Sequence, residues 1–169
     1  MTNAILVAIG LMWLPVALFF LGKGEAKGTG FATAVVGILT VLSATLQVAV
    51  FKDPFTGGLL FAHGIFYLTV SYALLTGLED MRSVGNVALT VALVSAIYSV
   101  IFYIGTPQIP VNNYLGLMCL GYAIITCEVW LNAFKKLSAK VIAYSLIVWV
   151  PVGLWIPAFH LMASNKLPF

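Results

Sequence analysis

The chain has 169 residues, of which 62% are hydrophobic and only 8% are charged, and its formal net charge is +3. About a quarter of the residues are charged in an ordinary soluble domain, so this composition excludes a soluble globular enzyme, and its high hydrophobicity excludes disorder. The small positive charge is spread over short loops and forms no basic face for nucleic acid. We therefore predict one integral membrane domain over residues 1–169 with the lipid bilayer as its partner.

Six apolar runs follow one another along the chain, and each approaches the roughly 20 residues that a helix needs to cross a bilayer. Of the thirteen Asp, Glu, Lys and Arg residues, twelve lie outside these runs and Glu128 lies inside one. No run alternates between polar and apolar residues for long, which favours helices over a transmembrane barrel. The predicted spans are 3–21, 31–51, 57–78, 84–104, 114–134 and 141–163.

The connections after the first, third and fifth spans predict an all-α bundle of three helical hairpins. Two of these connections, LGKGEAKGTG and TGLEDMRSVG, share a pattern of glycine, acid and base, whereas FKKLSAK lacks the glycines, so a true repeat stays open. The three connections hold six of the eight Lys and Arg residues. Because positive loops stay in the cytoplasm, we expect a multi-pass protein of the cell membrane with both termini outside.

Ionisable and polar groups at membrane depth are the candidate functional residues. Glu128 is either a structural carboxylate at a helix or subunit contact or a pore-lining or proton-carrying group. His63, Tyr67 and Ser71 follow one another at four-residue spacing and form one polar stripe on the third helix. The histidine is either packed in the core or placed at a pore mouth, and no further ligands converge on it to form a metal site.

The last two spans contain features that bend or widen a helix bundle. Trp130, Trp149 and Trp155 lie deep in their spans, where an indole needs a partner for its N–H or a cavity beside it, so core packing and pathway lining both stay open. Pro151 and Pro157 remove two N–H donors and should kink the last helix. No catalytic triad, phosphate loop or Cys-x-x-Cys motif is present, so we expect no enzyme, no metal and no cofactor.

Several stretches of the sequence resemble the AmiS/UreI family of urea and short-chain amide channels. They are LFFLGKGEAKGTGFATAVVGIL at 18–39, GIFYLTVSYALLTGLED at 64–80, VWLNAF at 129–134 and WIPAF at 155–159. Their order and spacing agree with the family over essentially the whole chain. The resemblance implies a homo-hexamer in which each protomer carries its own pore and small neutral solutes permeate passively between aromatic constrictions.

The resemblance also assigns residues to the pore and shows departures from the family pattern. Tyr67 and Trp130 match aromatic pore residues, and His63 falls where the acid-gated urea channel has a phenylalanine. Cys119, Ala123 and Thr126 replace a ladder of tryptophans, and Trp149 takes the place of a carboxylate. The loop KDPFTGG has no histidine, so the acid gate of that channel is missing.

A passive channel for urea or short-chain amides is therefore the expected function. The candidate hydrogen-bonding groups are Tyr67, Ser71, Thr126 and the indole of Trp130 or Trp149. Tyr67 and Trp130 are expected to form two successive constrictions whose Cα levels differ by roughly 9 Å. The alternatives are a proton-coupled carrier that uses Glu128 and a membrane protein that only binds another protein.

Overall fold

A computed structural model describes residues 2–168, with side chains from residue 4 onward, so the predicted domain bounds at Met1 and Phe169 lie outside the described residues. The described chain is all-helical, as predicted, and contains five long helices, α1 to α5, followed by a sixth span in three parts. The helices are α1 (Thr2–Phe20), α2 (Ala26–Ala49), α3 (Pro54–Thr76), α4 (Arg82–Ile104), α5 (Asn113–Ala133), α6 (Ala139–Trp149), a π-helical segment (Val150–Trp155) and α7 (Ile156–Ser164).

Five segments of the described chain are long and apolar enough to cross a membrane: α2, α3, α4, α5 and the continuous span Ala139–Ser164. The first helix is apolar as well, but its qualifying stretch, Ala4–Phe20, is shorter. These segments coincide with the predicted runs to within a few residues. The connections after α1, α3 and α5 carry most of the basic residues, and we call their side of the bundle the basic face and the other side the terminal face.

Polar side chains cap the first turns of three helices, α2, α3 and α5. Glu25 accepts a hydrogen bond from the Gly28 N–H at 2.6 Å, Asp53 from the Thr56 N–H at 3.0 Å and Asn112 from the Leu115 N–H at 2.9 Å. The first N–H groups of a helix have no partner within the helix, and a capping oxygen supplies one. Helices α1 to α6 all begin one to five residues before their predicted runs, since a search for apolar runs takes no account of capping residues.

Two carboxylates outside the spans have lowered pKa values. Burial raises the pKa of Asp53, but hydrogen bonds from Thr56 and Gln47 outweigh it and hold the pKa below its ordinary value of 3.8. Hydrogen bonds from Arg82 lower the pKa of Asp80 to about 2. Both carboxylates are therefore ionised at neutral pH, one at each face of the bundle.

The most extensive helix contacts join α2 to α3 and α4 to α5, while α1 packs against α6, the π-helical segment and α7. The close pairs are thus connected across the terminal face. The three predicted hairpins turn on the basic face and make smaller contacts, so the packing does not confirm them as the units of the bundle.

Glycines permit the close approach of α2 and α3. Gly30 and Gly37 on α2, and Gly57 and Gly64 on α3, lie seven residues apart on their helices and face the partner helix. A Cβ atom at Gly64 would lie 2.7 Å from Cγ2 and 3.1 Å from the backbone nitrogen of Val41. Small residues give such backbone contact in membranes, where van der Waals packing drives helix association.

The sixth span departs from α-helical geometry between its two prolines, where the sequence predicted a kink. The Ile156 N–H bonds the carbonyl of Pro151, five residues back, as in a π-helix. Pro157 has no N–H to donate to Gly153, its partner in a regular helix. Two tyrosines of α5 replace the missing donors: the Tyr114 hydroxyl donates to Val152 O at 2.6 Å and the Tyr122 hydroxyl to Gly153 O at 2.7 Å.

The close contact between α2 and α3 predicts that a larger side chain at Gly64 lowers the stability of the protein. In Gly64→Val the new methyl groups meet the Val41 backbone, which cannot move without separating the helices, so we expect about 1–3 kcal/mol of destabilisation. The melting temperature of the purified protein in detergent measures it. Ile65→Val, one residue along and 55% exposed, is the matched control and should change the melting temperature little. Equal stability of the two variants would contradict close packing at this contact.

Candidate substrate pathway

A cavity of about 470 Å³ opens toward the basic face. Most of its wall is apolar, and α1, α3, α5 and α6 contribute to it. At that face its lining includes Ala26 at the start of α2 and three residues of the connection after α3, Gly77, Leu78 and Glu79. Deeper in, Thr33 and Thr126 place hydroxyl groups at the wall, and both donate to carbonyls of their own helices.

A second cavity, of about 310 Å³, lies toward the terminal face. Phe55 and Thr56 at the start of α3 line it, as do Leu161 of α7 and Leu167 beyond it. Cys119 and Met118 of α5 form part of its deeper wall. Both cavities are thus enclosed by the helices of one chain, and they approach each other from opposite faces.

His63 and Tyr67 line both cavities and therefore mark the place where the two meet. Trp13 lines the basic-face cavity beside them, and Tyr122 lines the terminal-face cavity. The ring centroid of His63 lies 6.0 Å from that of Tyr67 and 5.5 Å from that of Tyr122, and Trp13 meets Tyr122 edge-on at 5.8 Å. We call these four side chains the neck.

Hydrogen bonds to the backbone fix two of the four neck side chains, Tyr122 and His63. The Tyr122 hydroxyl is held by Gly153 O, and the Nδ1 atom of His63 lies 3.0 Å from Leu59 O, one turn back on α3. The Tyr67 hydroxyl interacts with the indole of Trp13. All four residues are at most 7% exposed, so their rings are locked by neighbours as well as by these bonds.

The neck carries hydrogen-bonding groups but no charged side chain. An ion that enters such a constriction must give up its hydration shell, and neither carboxylates nor rings of carbonyls replace that shell here. A small neutral molecule loses only a few hydrogen bonds to water, and hydroxyl and imidazole groups can replace some of them. The geometry therefore suits a neutral polar solute that is narrow enough to pass between aromatic rings.

The model of a transporter family, described as the AmiS/UreI family transporter, matches residues 1–165. The chain belongs to the AmiS/UreI family. No curated protein matches the sequence closely enough to extend this assignment.

Two solved structures share the fold of this AmiS/UreI chain. One is a cryo-electron-microscopy structure of the Helicobacter pylori urea channel in its closed state, with a TM-score of 0.87. The other is a crystal structure of the urea channel from the same gastric pathogen, with a TM-score of 0.84. Each is 17% identical to this chain, and each alignment covers 99% of this chain and 100% of the other. At that identity the likeness shows the fold.

Three of the residues that the sequence assigned to a pathway line the cavities of this AmiS/UreI protein: His63, Tyr67 and Thr126. The structure brings the first two together at the neck. Thr126 lines the basic-face cavity, and its hydroxyl donates to Tyr122 O at 2.7 Å.

The other predicted pathway residues lie outside both cavities. Trp130 packs against Phe134 at the basic end of α5, with the Lys136 ammonium 5.9 Å from its ring centroid. Trp149 sits against Gly121 and Gly153, where a Cβ atom would overlap its indole. Ser71 donates to Gly30 O at 2.8 Å in the contact between α2 and α3. These three side chains occupy packing positions in the bundle.

Glu128 also lies away from the cavities, between α5 and α6. One carboxylate oxygen accepts a hydrogen bond from the Ser145 hydroxyl at 2.9 Å, and the other is buried without a partner in the described chain. Of the two alternatives that the sequence left open for Glu128, this position favours a structural carboxylate at a helix contact over a pore-lining or proton-carrying group. The two cysteines, Cys119 and Cys127, are free.

Sequence reasoning missed Trp13 and Tyr122. The signal for Tyr122 was present, because it shares a helical face with Cys119 and Thr126, and both of these line cavities. Trp13 carried a weaker signal, a tryptophan near the middle of the first span. What recruits it to the neck is the packing of α1 against the sixth span, which periodicity does not reveal.

The bond between Tyr122 and the sixth span can be tested with a double-mutant cycle. Tyr122→Phe removes the donor from Gly153 O and should destabilise the protein by about 1–3 kcal/mol, since a buried carbonyl loses its partner. Pro157→Ala supplies a backbone N–H that can donate a hydrogen bond to that carbonyl in a regular helix. The decrease in stability caused by Tyr122→Phe should therefore be smaller in the Pro157→Ala background, and melting temperatures of the four proteins measure it. Additive effects would show that the two groups do not share an acceptor.

Proposed function

We propose that the protein is a passive channel for urea or short-chain amides and that each chain carries a complete pathway through its neck. The observation that carries the proposal is the pair of cavities on opposite faces that meet at Trp13, His63, Tyr67 and Tyr122. Membership of the AmiS/UreI transporter family supports it, as does the fold shared with structures described as urea channels.

Selection in this proposal depends on width and on hydrogen bonding. Planar amides present thin edges and flat faces, which suit passage between aromatic rings. The hydroxyl of Tyr67 and the imidazole of His63 replace water at the neck, and the mostly apolar walls on both sides of the neck disfavour an ion.

The assembly and orientation are part of the same proposal. A homo-hexamer is compatible with a pathway that lies inside one chain, because no partner residue is needed to complete it. Aliphatic side chains on the outside of α2 and α4, such as Ile38, Leu42, Leu93 and Ile97, are exposed and available to lipid or to neighbouring protomers. The basic residues of one face favour the cytoplasm for that face and the outside for both termini.

The neck and the pathway implied by the family resemblance predict different outcomes for two tryptophans. Trp13→Ala should widen the neck and raise the swelling rate of proteoliposomes in butyramide relative to acetamide about fivefold, if about 1 kcal/mol of steric barrier is lost. Trp130→Ala, at a position outside both cavities, should leave this ratio unchanged. The rates for urea, acetamide and butyramide are measured by light scattering after osmotic challenge, with protein-free liposomes as the baseline.

Two results would count against the proposal. A wider size limit in Trp130→Ala rather than in Trp13→Ala would place the constriction where the resemblance put it and would make the neck part of the core. Wild-type swelling at the protein-free rate with every solute would reject the channel altogether. Gel-filtration profiles of both variants show whether the substitutions leave the protein folded.

The proton-coupled alternative predicts a dependence on Glu128. In Glu128→Gln the amide oxygen can still accept the hydrogen bond from Ser145, so the bundle should stay intact while the ionisable group is lost. For a passive channel we expect swelling rates within about twofold of wild type, both with and without a pH gradient across the membrane. Solute accumulation driven by the gradient in wild type, and its loss in Glu128→Gln, would show a carrier instead.

A further inference from the structure

One polar atom of the neck is without a partner. Five buried side-chain nitrogen or oxygen atoms of the described chain have no hydrogen-bond partner, and they belong to His63, Ser95, Glu128, Trp149 and Trp155. Of these residues, His63 is the one that lines the cavities, and it lines both. Its unpartnered atom is Nε2, and its side chain is 5% exposed.

The bond at the other ring nitrogen determines what this atom can do. Nδ1 lies 3.0 Å from Leu59 O, and a carbonyl oxygen can only accept, so the ring hydrogen is on Nδ1. In a neutral imidazole Nε2 then carries a lone pair and acts as an acceptor. The neck therefore offers a fixed acceptor that no N–H or O–H group of the described chain satisfies.

The neighbouring residue offers the complementary group. Tyr67, one turn along α3, lines both cavities, and its hydroxyl can donate a hydrogen bond as well as accept one. Its own hydrogen can then be donated to a carbonyl oxygen of a solute. The ring centroids of Tyr67 and His63 lie 6.0 Å apart, so the two polar groups belong to neighbouring side chains of the neck.

We propose that His63 is a specificity-determining residue whose Nε2 atom accepts a hydrogen bond from a solute N–H, while Tyr67 donates to the solute carbonyl. The preferred solutes are then primary amides and ureas, and amides whose nitrogen is alkylated are disfavoured even at equal size. This inference rests on the proposed function, since it names the solute chemistry that the same neck selects.

The test uses three amides of identical molecular formula: propionamide has two N–H groups, N-methylacetamide has one and N,N-dimethylformamide has none. Protein-dependent swelling of proteoliposomes is measured for each solute after subtraction of the protein-free rate. The variants are His63→Phe, which keeps a flat ring but has no acceptor, and His63→Gln, which restores an acceptor oxygen. Thr69→Ala is the matched control, because Thr69 lies on the same helix and its hydroxyl bonds Ile65 O.

Wild type and Thr69→Ala should favour propionamide over N,N-dimethylformamide by the same ratio. That ratio should fall about three- to tenfold in His63→Phe, as expected for one hydrogen bond, and should recover in His63→Gln. Protein-dependent flux with an unchanged ratio in His63→Phe would overturn this inference and leave the channel proposal standing. Swelling at the protein-free rate for all three solutes in wild type would overturn both.

Discussion

The bond between the Tyr122 hydroxyl and the Gly153 carbonyl ties the geometry of the neck to the backbone of the sixth span. A carbonyl without a donor is costly at membrane depth, where no bulk water can replace the missing bond. Pro157 leaves a carbonyl of the last span without its usual N–H donor. The hydroxyls of Tyr114 and Tyr122, eight residues apart on α5, donate to carbonyls of this segment instead. Because Tyr122 is anchored in this way, its ring is held in a steeply inclined contact with the rings of Trp13 and His63. The irregular backbone of the sixth span thus fixes the position of Tyr122, an aromatic residue that lines the pathway.

The rest of the bundle supports this arrangement by being closely packed elsewhere. The pairs α2–α3 and α4–α5 are joined by glycine contacts and by matching hydroxyl bonds, from Ser71 to Gly30 O and from Ser99 to Gly116 O. Close-packed helices behave as units that have few alternative arrangements. The cavities open where α1 and the sixth span meet these pairs, because large aromatic side chains and a π-helical segment prevent equally close packing there.

Much of the fold could be predicted from the sequence. Charged side chains are unfavourable in lipid, so each membrane-spanning helix is visible as a long apolar run. The helix starts were missed by one to five residues, because a search for apolar runs takes no account of caps such as Glu25 and Asp53. The site was only partly predictable. Periodicity placed Tyr122 and Thr126 on one face of α5, but it also included Trp130, whereas Val129 continues the row that lines the cavity. Which tryptophan reaches the neck is decided by how α1 packs against the sixth span, and these segments are far apart in sequence.

The distribution of charge limits how this pathway can discriminate among solutes. Glu79 lies at the basic-face mouth, while Glu128, the charged group within a span, is held by Ser145 away from both cavities. The interior of the path is therefore apolar except for hydroxyl, amide and imidazole groups. Such groups attract ions too weakly to offset the loss of hydration, but they can compensate a neutral solute for one or two water molecules. Discrimination among neutral solutes then depends on the positions of a few hydrogen-bonding atoms, and at the neck these positions are fixed by backbone carbonyls of α3 and of the π-helical segment.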